Sequence, residues 1–416
     1  MAKKTFSIIS LGCFRNTYDS EVMVRDLLKA GYRFSEKADK VDTLVVNTCG
    51  FITQAKEESL ETIRGALDLK RKGRVKKVII RGCLVARYRQ DLEKHFPDID
   101  EWGIFQLFPA HPQGDGRPQL TPGHIAFLKI AEGCSHGCSY CAIPLIKGKF
   151  RSRSESDILR EASLLDTQKI KEVNIIGQDV TSWGSDFKTK KNLVGLLKKI
   201  IKGTGHIRWF RLLYTHPTLF SDEFIEFIAH EPRMCKYIDL PIQHVNDRIL
   251  KLMNRRTTKK DIVTLLEKIR KNIPGVAIRT SLIVGFPGET EKEFRELVDF
   301  VRMARLEHVG VFTFSREEQT PAYNLLGQVH HRTRERRQKE LLAVQQEVSA
   351  KVNRNYVGKR MDILIDEKRK AGIVGRTEHQ CFDVDGVVYV QKKEARPGRI
   401  YRLMISDSYE YDLVAG

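Results

Sequence analysis

The feature that most limits the fold is an alternation of short apolar runs with longer segments of helical spacing. In residues 1–102 the runs are FSIIS, TLVVN and KVIIR, and between them lie SEVMVRDLLKAG and KEESLETIRGALDLKRKG. Apolar residues every three to four positions mark amphipathic helices, and the glycine closing each segment marks a helix end. Strands joined by helices build a parallel sheet with helical cover. Residues 103–124, including FPAHPQGDGRPQLTPGH, lack periodicity and read as a linker.

The alternation resumes over 125–352, with IAFLKIAE, VNIIGQD, RWFRLLYT, YIDLPIQ, AIRTSLIVGF and VGVFTF as strands. Six strands with crossovers predict a partial (β/α)6 barrel. Over 356–416 the pattern changes to short strands and turns, RMDILIDE, GIVGRTE, DVDGVVYV, RIYRLMISDS and EYDLV, which predict a small antiparallel β-barrel. The expected fold class is α/β: an N-terminal open parallel α/β domain, a central partial barrel and a C-terminal β-barrel.

The eight cysteines sort by context. Cys134, Cys138 and Cys141 lie in one loop, EGCSHGCSYCAIP, directly after the first central strand. Such spacing lets a loop wrap an inorganic core and present three thiolates. A structural zinc would want a fourth ligand, and His136 is too close to its neighbours to complete a tetrahedron. Three ligands on a four-iron cluster leave one iron open for a small molecule. Cys13, Cys49 and Cys83 are distant in sequence, yet each follows an apolar strand: FSIISLGC, TLVVNTC, KVIIRGC. The carboxyl ends of parallel strands line one edge, so these thiols are expected to converge. Cys235 and Cys381 share neither pattern and read as packed bystanders.

Composition narrows the class. A chain of 416 residues supports two or three cores, and 41% hydrophobic with 30% charged residues is ordinary for a soluble protein. No apolar run approaches ~18 residues, and MAKKTFSIISLGC reads as a buried strand rather than a leader. We therefore expect a reducing, cytoplasmic setting without a membrane partner, where clustered thiols mean metal or redox chemistry. The net charge of +19 points either to a polyanionic partner such as RNA or to solvated lysine. The densest run, HHRTRERRQKE, reads as one face of an exposed helix. A non-catalytic RNA-binding protein with a structural metal is the alternative of a different class.

The C-x3-C-x2-C loop, with Tyr140 before its last cysteine, resembles that of the radical S-adenosylmethionine enzymes. There the open iron chelates S-adenosylmethionine, and one electron splits the sulfonium to give a radical that abstracts hydrogen from carbon. The resemblance implies cofactor contacts at Tyr140, whose backbone would hold adenine, and at Gly285 and Glu289 of SLIVGFPGET. Gln178 and Gln243 end strands facing the same cavity, where each is either a cofactor contact or a structural amide.

The order of the three regions resembles the methylthiotransferases, whose terminal barrel is of the TRAM type. This implies two 4Fe-4S clusters, one on Cys13, Cys49 and Cys83 carrying the sulfur, the other on Cys134, Cys138 and Cys141 binding S-adenosylmethionine. Two branches compete, one acting on a tRNA adenosine, the other on the β-carbon of an aspartate in ribosomal protein uS12. SLGCFRNTYDSE, NTCGFITQAKEES, CSYCAIPLIKGKFRSR, IIGQDVTSWG and LLYTHP resemble the second branch. Phe14 and Arg15 depart from it, standing where proline and lysine are common, and GCSHGC differs within the loop. Over 356–416, 11 Lys/Arg against 10 Asp/Glu, with only Asp407, Glu410 and Asp412 after Arg402, suit a basic protein partner better than RNA. The expected partners are uS12, free or within the small subunit, an electron donor and ribosomal RNA, with the enzyme a monomer. No catalytic residue is assigned for orienting the aspartate. Arg211 and Arg279 reach a carboxylate either on the substrate or in ordinary salt bridges.

Overall fold

The computed structural model describes residues 3–104, 116–370 and 372–416. At the N-terminus, β1 (Thr5–Ser10), α1 (Phe14–Lys29), β2 (Arg33–Phe34), β3 (Val41–Thr48), α2 (Thr53–Arg71), β4 (Val75–Gly82), α3 (Cys83–His95) and β5 (Glu101–Gly103) alternate as the apolar runs predict. The sheet is parallel, in the order β2-β1-β3-β4-β5, so β1, β3 and β4 are neighbours. Leu44, Val46, Val78 and Ile80 fill its core against Ile63 and Ala66 of α2.

Helix α1 is buried at nine residues, Asn16 and the eight from Tyr18 to Arg25. A helix buried on more than one face is sandwiched. One face covers β1 and the other packs on the central unit, where Phe14 stacks on Phe127 at 4.7 Å.

The central unit runs β6 (Ile125–Lys129), β7 (Ala131–Glu132), α4 (Ile143–Lys147), β8 (Arg151–Ser152), α5 (Glu155–Thr167), β9 (Glu172–Ile176), α6 (Leu193–Lys202), β10 (Trp209–Leu212), α7 (Asp222–His230), β11 (Met234–Asp239), α8 (Asp247–Leu252), α9 (Lys259–Asn272), β12 (Ala277–Val284), α10 (Glu291–Ala304), β13 (His308–Thr313) and α11 (His331–Arg354). Its main sheet has six parallel strands in the order β13-β12-β11-β10-β9-β6. The edges do not close, which makes it the expected partial barrel. Helices α5 to α10 each begin at a Ser, Thr or Asn whose side chain accepts a first-turn N–H.

The chain ends in a closed barrel of β14 (Arg360–Arg369), β15 (Gly372–Arg376), β16 (Val388–Val390), β17 (Ile400–Ser408) and β18 (Leu413–Ala415). Four seams are antiparallel, and β16–β18 is parallel. The barrel sits under the amino ends of the central strands. There Arg376 pairs with Glu172 at 2.6 Å, and Leu364 and Cys381 share an apolar cluster with Trp209, Tyr237 and Ala277. Of the expected linker, 105–115 lies outside the described residues. The remainder is anchored, since Arg117 is buried and donates to Glu21 of α1 at 2.7 Å. Among the described residues no helix is long and apolar enough to cross a membrane.

Candidate active site

Adjacent parallel strands deliver the first trio. Cys13 follows β1 and caps α1, Cys49 follows β3, and Cys83 opens α3 directly after β4. Asn16 ties these ends together. Its amide donates to the carbonyls of Leu11 at 2.8 Å and Thr48 at 3.0 Å, and its oxygen accepts from the Cys83 thiol at 3.5 Å. Cys49 is pinned through Ser59, which accepts from its N–H at 2.9 Å and donates to its carbonyl at 2.8 Å. Gly12 adopts φ +88°, and a Cβ there would stand 2.9 Å from Cys49 Sγ. Only glycine tolerates both the backbone and the crowding.

Unlike α5 to α10, helices α1, α2 and α3 have no side-chain cap. Their N-termini lie beside the trio, where unsatisfied N–H groups and the helix dipole favour anions. Burial pushes the Cys13 thiol up, but the Arg15 guanidinium and nearby backbone N–H groups outweigh it and hold Cys13 below the ordinary thiol range. Burial pushes Cys83 up to about 12 and also raises Cys49. Metal binding displaces such protons.

The second trio sits on a loop stapled to the end of α8. The Ser139 N–H donates to the Met253 carbonyl at 3.0 Å, its hydroxyl to the Leu252 carbonyl at 2.8 Å, and the Asn254 amide to the Gly137 carbonyl at 2.7 Å. Arg255 donates to Cys138 Sγ at 3.8 Å and to the Pro241 carbonyl at 2.6 Å. Burial raises Cys134 and pushes Cys141 up to about 12. His136 bonds Asp179 at 2.6 Å and stacks on His216 at 3.8 Å, which commits it to structure rather than to a fourth ligand. Burial lowers His216 to about 3, so that ring stays neutral.

Among the described residues no three or more His, Cys, Asp or Glu side chains gather around one metal ion. A cubane differs, because each thiolate takes its own iron corner. The donor sets, uncapped helix ends and Gly12 cradle fit such clusters. The two sites share a wall: Cys83, Ala142 and Ile146 form one apolar cluster where α3 packs on α4.

The structure brings some of the other expected residues together. Tyr140 packs with Ile249, Met253, Phe286 and Phe314, so the cysteine loop meets the turn after β12. In that turn Gly285 has φ +70°, and Glu289 accepts from the N–H groups of Gly285 and of Phe286, the latter at 3.1 Å. Glu289 Oε2 thus locks the glycine turn, while its buried Oε1 has no hydrogen-bond partner among the described residues. Gln178 donates to Glu132 at 2.6 Å, and its buried oxygen has no partner among the described residues. Gln243 is in a left-handed conformation at φ +71°, where its backbone extends the pairing of β11 with β12 through Ser281 and Ile283.

Arg211 and Arg279 are salt-bridge residues: Arg211 joins Glu172 at 2.9 Å, and Arg279 joins Asp239 at 3.2 Å and Asp385 at 3.4 Å. The basic run at the start of α11 is not one exposed face either. Arg337 is buried and donates to the Glu289 carbonyl at 3.0 Å. Cys235 and Cys381 are buried in the cluster between barrel and central sheet. Sequence reasoning missed Arg255, which no local motif marks, and quoted IIGQDVTSWG and LLYTHP without giving a role to their Asp179 and His216. It noted Arg15 only as a departure.

Parallel six-stranded core, three-thiol loop and glycine turn define a radical S-adenosylmethionine enzyme. Residues 128–301 match the Radical SAM superfamily, 5–103 match Uncharacterized protein family UPF0004, and 357–416 match the TRAM domain. The chain is 41% identical to ribosomal protein uS12 methylthiotransferase RimO of Citrifermentans bemidjiense, over 99% of this chain and 98% of that protein. It is 42% identical to the protein of the same name from Thermoanaerobacter sp., over 99% of each. Among solved structures, the radical S-adenosylmethionine methyltransferase TsrM from Kitasatospora setae is similar in fold, with a TM-score of 0.54 and 14% identity over 88% of this chain and 79% of that one. The chain belongs to the ribosomal protein uS12 methylthiotransferase family. Its cofactors are S-adenosylmethionine and 4Fe-4S clusters.

Proposed function

We propose that this enzyme methylthiolates the β-carbon of an aspartate in uS12. Cys13, Cys49 and Cys83 hold one cluster, and Cys134, Cys138 and Cys141 hold the other. When bound, the second cluster supplies an electron to S-adenosylmethionine, and the first carries the sulfur to be transferred. The observation that carries this reading is the wall of Cys83, Ala142 and Ile146 shared by the two cysteine trios, which supports a sulfur source and a radical source working side by side. The unpartnered Gln178 oxygen is an acceptor for a cofactor donor, and Tyr140 and the Gly285 turn supply backbone for the adenine. Working units of 1–102, 125–352 and 356–416 follow, joined by 103–124.

Recognition falls to the barrel. Tyr409, Tyr411 and Met404 are exposed there beside Asp407 and Glu410, a surface suited to a basic protein. A 460 Å³ cavity at α10 and α11, lined by Arg302, Arg305 and Lys351 among others, suits RNA phosphates of an assembled particle. An external donor supplies the electron, and the enzyme acts as a monomer.

Mass analysis of uS12 from cells lacking this protein tests the reading. The methylthio increment should disappear, and its persistence would sink the assignment. Loss of a methylthio nucleoside from tRNA, with uS12 unchanged, would move the activity to RNA. Serine at Cys134, Cys138 or Cys141 should abolish S-adenosylmethionine cleavage. Serine at Cys13, Cys49 or Cys83 should spare cleavage and stop sulfur insertion. A colourless, zinc-containing protein after anaerobic purification would instead favour a structural metal.

A further inference from the structure

Arg15 arises from the N-terminal unit, but its guanidinium is held by the central one. Nε donates to Cys13 Sγ at 3.3 Å, and Nη1 donates to the Gly177 carbonyl, just past β9, at 3.3 Å. The group lies over the Tyr214 ring, just past β10, at 4.3 Å. Tyr214 is itself fixed, at φ +64° with its N–H on Asp239 at 2.8 Å. The charge of Arg15 also reaches Cys83 and Cys141, one thiol from each trio.

The missing partner is informative. Three buried cations nearby face carboxylates: Arg117 has Glu21 and Glu161, Lys129 has Asp19 and Glu132, and Arg153 has Glu161; half-buried Arg15 beside the first trio, like Arg255 beside the second, faces a thiol instead. Among the described residues no carboxylate pairs with Arg15; it faces thiols, an aromatic ring and a carbonyl. A desolvated guanidinium without an anion is costly, so such a site selects for negative charge. Three thiolates on an iron–sulfur core provide it. Charge and hydrogen bonds at cluster sulfurs shift the potential, and a cationic donor favours the reduced form.

We propose that Arg15 is a positioning residue, the counter-charge of the cluster on Cys13, Cys49 and Cys83, raising that cluster's reduction potential and tying it to the radical domain. This rests on the cluster assignment proposed above. Lysine, common at this position in the resembling branch, supplies the same charge without the planar fork that spans thiol and carbonyl.

Anaerobically reconstituted full-length wild type, Arg15→Gln and Arg15→Lys test it, by iron content and by redox titration followed by electron paramagnetic resonance. The N-terminal signal is assigned from a full-length variant with serine at Cys134, Cys138 and Cys141. In Arg15→Gln the N-terminal cluster should become harder to reduce by at least tenfold, which is ~59 mV for one electron. Arg15→Lys should recover most of that shift. If Arg15→Gln loses iron selectively at the N-terminal site while Arg15→Lys keeps it, the counter-charge role also stands. An unchanged potential in Arg15→Gln, an equal shift of both clusters, or loss of iron in both variants overturns the proposal. Two clusters absent from wild type would instead defeat the cluster assignment itself.

Discussion

Gly12 shows how little room the first site leaves. With φ +88° and Cys49 Sγ so near, Gly12→Val strains the backbone and displaces a thiol at once. Iron per chain in that variant should fall by about half, with the Cys134 loop still loaded, since only one of two sites is disturbed. Asn16→Ala removes the buried amide linking Leu11, Thr48 and Cys83. It should cost ~1–3 kcal/mol in urea denaturation of the metal-free protein, because two buried carbonyls lose their donor. At this scale the six cysteines were legible, because strand ends and loop spacing are local patterns. Arg255 was not, because Cys138 is far from it in sequence and only folding joins them. Glu289 was found by its motif, but the hold of its Oε2 on the turn's own N–H groups was not legible, because that contact appears only once the turn is folded.

The helices divide by how they begin. Those of the central unit from α5 to α10 carry polar caps, and Thr290 with Glu293 forms a full capping box on α10. Thr290→Ala should lower stability by ~1 kcal/mol in chemical denaturation. The iron content should not change, since the Thr290 hydroxyl bonds only Glu293 within the cap. The three N-terminal helices lack such caps, and although Thr53 N–H of α2 donates to Ser315 at 3.2 Å, the dipoles of their N-termini favour an anionic guest. The element order was readable from period and glycine punctuation. The parallel β16–β18 seam was not, because a three-residue strand carries no sign of its partner's direction.

Across the molecule, buried charge holds the units together. Glu172, at the start of β9, meets Arg211 of its own sheet and Arg376 of the barrel. Glu172→Ala should destabilise the protein by ~3–5 kcal/mol, since buried Arg211 loses its carboxylate and buried Arg376 keeps only Asp366. Limited proteolysis should then cut between α11 and β14 sooner than in wild type. Burial alone would raise the Glu172 carboxyl, but the charges of Arg376 and Arg211 hold it below its ordinary 4.5. That depressed value makes the contact fully stabilising above pH 4.5 and progressively weaker as pH falls through the folded value. Hydrogen exchange on metal-free protein should show the barrel seam opening in acid before the six-stranded sheet. None of this was legible, because a buried arginine and a solvated one look alike in a linear chain. Of these three residues Arg211 alone was singled out in the chain, as either a substrate contact or a salt-bridge residue, and the second reading holds.

The wedge of Arg376 under the central sheet also governs geometry. Interior ion pairs clamp the barrel to the central sheet, so if it recognises the client as proposed, it would act as a ruler with a fixed span to the chemistry. Any client gripped there must present its reactive residue at that span, and inserting residues between grip and target would move the target out of range.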